Sequence, residues 1–264
     1  MYATLTTLID RLDSAVMSGT DVLRWGSPVP SFGDLANARV ATLGLNPSNL
    51  EFVDRFGNEL QGPVRRFHTL GSLGLESWGD VDARHLRLIL SSCRTYFHAN
   101  PYDSWFKRLD QIVSAAKASY YSALFGACHL DLIPYATTRK WTELEGHQRT
   151  KLLSVAGDTL ALLLRDSPVR ILILNGRTVV DQFQNIADVH LERKEMSEWA
   201  LPRRSRGGVP GFAYKGWVDS LSGMTLKQRV LVLGFNHNIQ SSFGVTTQVI
   251  AGIRDWIAKT IVEL

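Results

Sequence analysis

Apolar positions along this chain follow two spacings. Short, nearly continuous runs at about residues 39–44, 169–174 and 229–234 have the pattern of strands covered by helices on both faces. A fourth run, about 126–133, is interrupted by His129 and Asp131. Between them, apolar residues recur every three or four positions. Leu5, Leu8, Ile9, Leu12 and Val16 predict an N-terminal helix, and further helices are expected at about 63–73, 81–97, 103–118, 148–164, 177–186 and 246–262. Asp103 suits the N-cap of the fourth of these seven helices. Gly26-Ser27-Pro28-Val29-Pro30 breaks the pattern before the first strand, residues 49–62 read as a polar irregular loop, and 187–228 read as less regular.

Strands alternating with helices imply parallel βαβ units. The expected architecture is therefore one α/β domain over 1–264, a three-layer α/β/α sandwich with a central four-stranded parallel sheet. The N-terminal helix, within about 1–20, is expected to pack on it.

Each strand run stops at a polar cluster. Val40-Ala41-Thr42-Leu43 runs into Gly44-Leu45-Asn46-Pro47-Ser48, and Arg229 to Leu233 runs into Gly234-Phe235-Asn236-His237-Asn238-Ile239-Gln240-Ser241-Ser242. The second run ends at His129-Leu130-Asp131-Leu132-Ile133-Pro134 and the third at Asn175-Gly176. Polar turns at the carboxyl edge of a parallel sheet stand where open α/β proteins bind ligands.

The turn Gly44-Leu45-Asn46-Pro47-Ser48 resembles the Gly-x-Asn-Pro-Gly/Ser motif of the uracil-DNA glycosylase superfamily, in its mismatch-specific and single-strand-selective branches. Arg65-Arg66-Phe67-His68-Thr69-Leu70 resembles their Asn-Arg-Phe-Trp segment, Asp131 stands where they carry an Asn, and Asn236-His237-Asn238 takes the place of their His-Pro-Ser or Asn-Pro-Ser. The resemblance covers roughly residues 38–260 in element order. It implies a monofunctional DNA glycosylase, which flips a nucleotide from the duplex and hydrolyses its N-glycosidic bond to leave an abasic site.

On this reading Asn46 holds and orients the attacking water, and His237 donates to the departing base as negative charge grows on it. Either Asn236 or His237 faces the base. Asp131 is the informative departure, because a carboxylate suits the amino group of cytosine better than the carbonyl of uracil. Its clash with the N3 lone pair of cytosine is relieved by a shared proton, on Asp131 or on N3. An enzyme that removed ordinary cytosine would destroy its own genome, so the expected substrate is a hydroxymethylated or glucosylated cytosine in viral DNA. That resembles the phage-defence branch of these glycosylases. The loop 49–62 is expected to make room for a sugar. Phe56, with Phe52 and Phe67 as alternatives, is expected to stack on the base. Ile239 or Gln240 is expected to fill the gap in the duplex. Ser48, Gln240, Ser241, Ser242, Arg203, Arg204 and Arg206 are expected at the DNA backbone.

Composition adds little that conflicts. Hydrophobic residues make up 45% and charged residues 20% of 264, ordinary for a globular protein with a sizeable core. A net charge of +4 and a pI near 9.1 suit a nucleic-acid partner. Two cysteines, Cys93 and Cys128, are too few for an iron–sulfur cluster or a Cys-rich zinc site, and no His-Glu-x-x-His spacing occurs, so neither cofactor nor metal is expected. No signal-peptide pattern and no apolar run near the roughly 18 residues of a membrane span is present, so a cytoplasmic monomer is expected. Two other readings remain open: a repair glycosylase for uracil or damaged bases, and a protein that binds modified DNA without cleaving it. No Gly-x-Gly-x-x-Gly, P-loop or Gly-x-Ser-x-Gly motif supports a third class.

Overall fold

The computed structural model describes residues 1–99, 103–202, 208–240 and 244–262. Its elements in chain order are α1 (Tyr2–Asp13), β1 (Val40–Gly44), α2 (Leu70–Leu73), α3 (Ala83–Arg94), α4 (Asp103–Val113), β2 (Ala127–Asp131), α5 (Gly146–Ala156), α6 (Thr159–Arg165), β3 (Ile171–Asn175), α7 (Arg177–Ala187), β4 (Glu192–Leu201), β5 (Val209–Leu221), β6 (Met224–Phe235) and α8 (Thr247–Val262).

The chain is an α/β protein built on a six-stranded mixed sheet of order β2-β1-β3-β6-β5-β4. The four predicted strands form its parallel part, with Gly44 opposite Asp131 and Asn175 opposite Phe235 at the carboxyl ends. The expected four-stranded parallel sheet is too small by two strands, since β5 and β4 add antiparallel pairs beyond β6. These strands come from the region read as irregular. The first four residues of β4, Glu192, Arg193, Lys194 and Glu195, are all exposed, so both faces of the strand are charged there and the alternation that marks a strand is lost. Ser222 and Gly223 both adopt positive φ between Leu221 and Met224, the two-residue turn that joins β5 to β6.

Alternate residues of the parallel strands divide between two apolar clusters, as the period of two demands. Ala41, Leu43, Leu172, Leu174 and Val232 join one cluster with α1, α6 and α7. Val40, Ile173, Leu231 and Leu233 join the other with α4 and α8. Helices therefore cover both faces.

Several helices are shorter than expected: α1 ends at Asp13, short of Val16, and α4 ends at Val113, with a 3-10 turn over Ser114–Ala116 in place of its last turn. The long helix at 148–164 breaks between α5 and α6 at Gly157-Asp158, where Asp158 receives a bidentate pair of bonds from Arg11 of α1 at 2.6 and 2.7 Å. The helix at 63–73 reduces to a 3-10 turn, Gly62–Val64, and α2, because the segment between them is held extended against 25–27. There Ser27 N donates to His68 O and Leu70 N to Trp25 O, each at 2.9 Å. The helix at 81–97 starts at its Asp82 cap and stops at Arg94, followed by a 3-10 turn. Among the described residues no helix is long and apolar enough to cross a membrane.

Candidate active site

The chain leaves β1 toward β2 on one side and leaves β3 toward β4–β6 on the other. The carboxyl ends of β1 and β3 thus flank the point where the strand order reverses, the usual ligand position in such sheets. A cleft of about 460 Å³ lies there. It is lined by the turn Gly44–Asn49, by His129 and Asp131 of β2, by Asn175 and Gly176 after β3, and by Asn236 and Asn238 after β6.

Asn46 is half-buried in this cleft, and its amide orientation is fixed by a neighbour. Thr137 Oγ1 donates to Arg139 O at 2.7 Å, so it accepts from Asn46, whose Nδ2 lies 3.0 Å away. Nδ2 also donates to Pro47 O at 3.1 Å. Among the described residues no donor is bonded to its carbonyl oxygen, which leaves that oxygen for a ligand. Ser48, exposed beside it, caps the following 3-10 turn by accepting from Leu50 N at 3.2 Å.

Asp131 is 4% exposed and ends β2 directly across from Gly44. Its Oδ1 lies 3.5 Å from His129 Nε2. His129 Nδ1 is 2.7 Å from Thr42 Oγ1, which is 2.6 Å from the Tyr120 hydroxyl. Burial pushes the Tyr120 phenol well above its ordinary range. The Thr42 hydroxyl thus bridges the Tyr120 phenol and the His129 ring, which holds His129 beside Asp131. Phe32, Trp105 and Phe106 form the aromatic side of the same cleft, with Trp105 edge-on to His129 at 5.4 Å between centroids. Trp105 is half-exposed, whereas Phe32 and Phe106 are buried.

Two residues that the motifs did not single out also line this cleft. Glu51 is buried at the end of the 3-10 turn after Ser48, with both carboxylate oxygens near the Tyr96 hydroxyl at 3.0 and 3.1 Å and Arg66 Nη1 at 3.6 Å. Burial pushes Glu51 up to about 7, aided by the charge of Asp131 and opposed by Arg66 and Tyr96. Asn175, 3% exposed, donates from Nδ2 to Gln240 Oε1 at 2.6 Å and accepts from Ile239 N at 3.2 Å, clamping the last turn to β3. The Asn-Gly at the end of the third strand was its only sequence signal.

The expected residues of the last turn take other places. His237 does not line the cleft; it is buried, its Nε2 lies 2.8 Å from Trp199 O, and burial lowers its pKa. Asn236 reaches the cleft, but its amide is committed to β5, accepting from Phe212 N at 2.7 Å and donating to Pro210 O at 2.8 Å. Asn238 is the other residue of this turn at the cleft. Ile239 is fully buried, and the side chain of Gln240 is held by Asn175. Phe56 is 74% exposed at the tip of an Asp54-centred turn, with the Arg55 guanidinium 4.6 Å from its ring, and does not line the cleft. Phe52 and Phe67 are core residues. Of the loop 49–62, Asn49 and Glu51 reach the cleft. Arg203, Arg204, Arg206, Ser241 and Ser242 lie outside the described residues. Arg139, Lys140 and Arg177 also line the cleft, with Arg139 paired to Asp21 at 3.3 Å and Arg177 to Asp181 at 3.4 Å.

The structure thus brings Asn46, Ser48, Asp131 and Asn236 to one cleft and leaves His237 and Phe56 out of it. No protein-family model matches the chain, and no characterised protein matches it either.

Proposed function

We propose that this protein is a monofunctional DNA glycosylase of the uracil-DNA glycosylase type, acting on a cytosine that carries a bulky 5-substituent. The observation that carries the reading is the meeting of Asn46 and Asp131, from the ends of adjacent strands, in one cleft with an aromatic side. The cleft volume falls within the roughly 300–1,000 Å³ of small-ligand sites. The four parallel strands carry Asn46, Asp131 and Asn236 on or just beyond their carboxyl ends, which supports the reading, while β5 and β4 extend the sheet beyond the architecture expected.

In this mechanism the nucleotide rotates out of the duplex and its base enters between Trp105 and the strand ends. The Asp131 carboxylate accepts from the exocyclic amino group. The carbonyl oxygen of Asn46 accepts a hydrogen bond from a water and orients it toward the sugar carbon. An Asn is no strong base, so most of the rate comes from stabilising charge on the departing base as the sugar gains oxocarbenium character. Asn238 takes the contact with that base first expected of His237. Arg139, Lys140 and Arg177 attract the phosphates along the cleft.

The test is to incubate the protein with duplexes carrying uracil, cytosine or glucosylated 5-hydroxymethylcytosine and score abasic sites. The expected outcome is strand scission after alkali only for the modified base. Activity confined to uracil would reject the modified-cytosine reading. Tight binding of the modified duplex without any abasic site would assign a binding protein.

A further inference from the structure

Cytosine presents two edges that want opposite things: its 4-amino group needs an acceptor and its N3 needs a donor. Asp131 supplies the first. A cleft lined only by ionised carboxylates would repel the second. Glu51 enters the same cleft from the turn after β1, so two buried carboxyl groups face the space where the base would sit. We infer that Glu51 is a specificity-determining residue that reads the base as a neutral carboxyl, donating its proton to N3 while the Asp131 carboxylate accepts from the amino group. This rests on the glycosylase reading above and adds the residue that holds the shared proton.

The surroundings of Glu51 favour its neutral form. Asp131 Oδ1 lies 3.5 Å from His129 Nε2 in the lining of the same cleft. Glu51 meets Tyr96 from the segment after α3 and Arg66 from the segment before α2, while Asp131 and His129 stand on β2 and Arg139 and Lys140 beyond it. Arg66 Nη1, which also donates to Leu50 O at 2.8 Å, lies 3.6 Å from Glu51 Oε2, and its charge opposes the effect of burial without overcoming it. Burial dominates, and Glu51 titrates at about 7, so both forms are populated at neutral pH. Uracil, with N3–H as a donor, would meet a second donor in protonated Glu51, and its O4 would face the Asp131 carboxylate where cytosine places its amino group. The two carboxyl groups together therefore favour the amino-bearing base over the carbonyl-bearing one.

The experiment compares wild type, Glu51→Gln and Glu51→Ala in base release from a glucosylated 5-hydroxymethylcytosine duplex between about pH 6 and 9. Wild-type kcat/KM should fall about tenfold per pH unit above about pH 7, as the donor is lost. Gln keeps an N–H donor at every pH and can still accept from Tyr96. Glu51→Gln should therefore stay within about fivefold of wild type at low pH and lose the alkaline decline, while Glu51→Ala should lose on the order of 10²-fold throughout. Glu51→Gln as slow as Glu51→Ala at every pH would make Glu51 a proton acceptor and overturn the inference. A Glu51→Gln profile that declines with the wild type would overturn it too. An enzyme that releases no base from any duplex removes the glycosylase reading itself, a failure distinct from either. Calorimetry in two buffers of different ionisation enthalpy gives an independent check, with Asn46→Ala present to block turnover. Binding of the modified duplex at pH 8 should take up a proton with Glu51 and none with Glu51→Gln; no uptake with Glu51 would overturn the assignment.

Discussion

The Asp131 carboxylate occupies the place where a side chain on Gly44 would begin. The two residues are paired across β1 and β2, and a Cβ built on Gly44 would collide with Asp131 Oδ1 and lie 2.9 Å from His129 Nε2. Gly44 is needed here for space, not for its dihedral angles. Its lack of a side chain lets the carboxylate reach the cleft from a buried strand end.

Gly44→Ala should therefore act on the site first. Asp131 would be pushed out of its position beside His129, and overpacking of this kind costs about 1–3 kcal/mol. The expected result is a loss of base release on the order of 10²-fold, with a fall in Tm of a few degrees. Abasic-site kinetics and thermal unfolding on the same sample check it. Near-wild-type kinetics in Gly44→Ala would mean that Asp131 does not read the base.

Thr137 acts on catalysis through the Asn46 amide. Thr137→Val removes the oxygen that accepts from Nδ2 while keeping the shape of the side chain. Freed of that bond, the amide can turn its NH2 group into the cleft, where it no longer accepts from a water. The expected effect is a roughly tenfold slower turnover, smaller than the 10²- to 10³-fold loss expected for Asn46→Ala, with KM little changed. Turnover by Thr137→Val at the wild-type rate would show that the amide orientation does not depend on this contact.

What the sequence revealed and what it hid divide along physical lines. β1, β2, β3 and β6 were legible because each is an apolar run that ends in a polar turn. The cleft follows from that pattern, since the turns of parallel strands share an edge. β4 escaped because its first four residues are charged on both faces, and β5 because Pro210, Gly211 and Gly216 interrupt its apolar run; the register is also irregular between Met196 and Leu201 and between Val218 and Ser220. Glu51 escaped for a different reason. In sequence it is one more polar residue of a loop, and only the fold encloses it between Tyr96, Arg66 and the strand ends. The fate of the last turn could not be read either. Whether His237 or a neighbour faces the cleft depends on Asn175 holding Ile239 N and on Trp199 O taking the imidazole.

Glu51 and His68 should drive stability in opposite directions with pH. Glu51 titrates at about 7 in the fold against an ordinary 4.5, because of its burial, so its contribution is present below about pH 4.5 and lost as pH rises through 7. His68 is lowered to about 4 by burial and by Arg65, so its contribution is present above about pH 6.5 and lost as pH falls through 4. Glu51→Gln should be more stable than wild type at pH 8 by up to about 3 kcal/mol, and the difference should vanish at pH 4. His68→Gln should show its advantage at acid pH, with no change in the difference above pH 7. Urea unfolding at fixed pH values measures both. A Glu51→Gln advantage that does not depend on pH would reject the raised titration of Glu51.

His237 offers the sharpest separation of structure from chemistry. Its imidazole is 2% exposed, lies 2.8 Å from Trp199 O, and stands apart from the cleft. Donation from Nε2–H to that carbonyl ties the turn after β6 to β4 across the edge of the sheet. Removing the donor leaves a buried carbonyl without its partner, at a cost of about 1–3 kcal/mol. His237→Phe should therefore lower the urea midpoint without changing its slope, and leave the rate of base release per folded molecule within about threefold of wild type. His237→Gln, which can still donate, should recover part of the lost stability. If fully folded His237→Phe instead released base slower by about two orders of magnitude or more, the imidazole would return to the reaction, and the turn after β6 would have to rearrange when DNA binds.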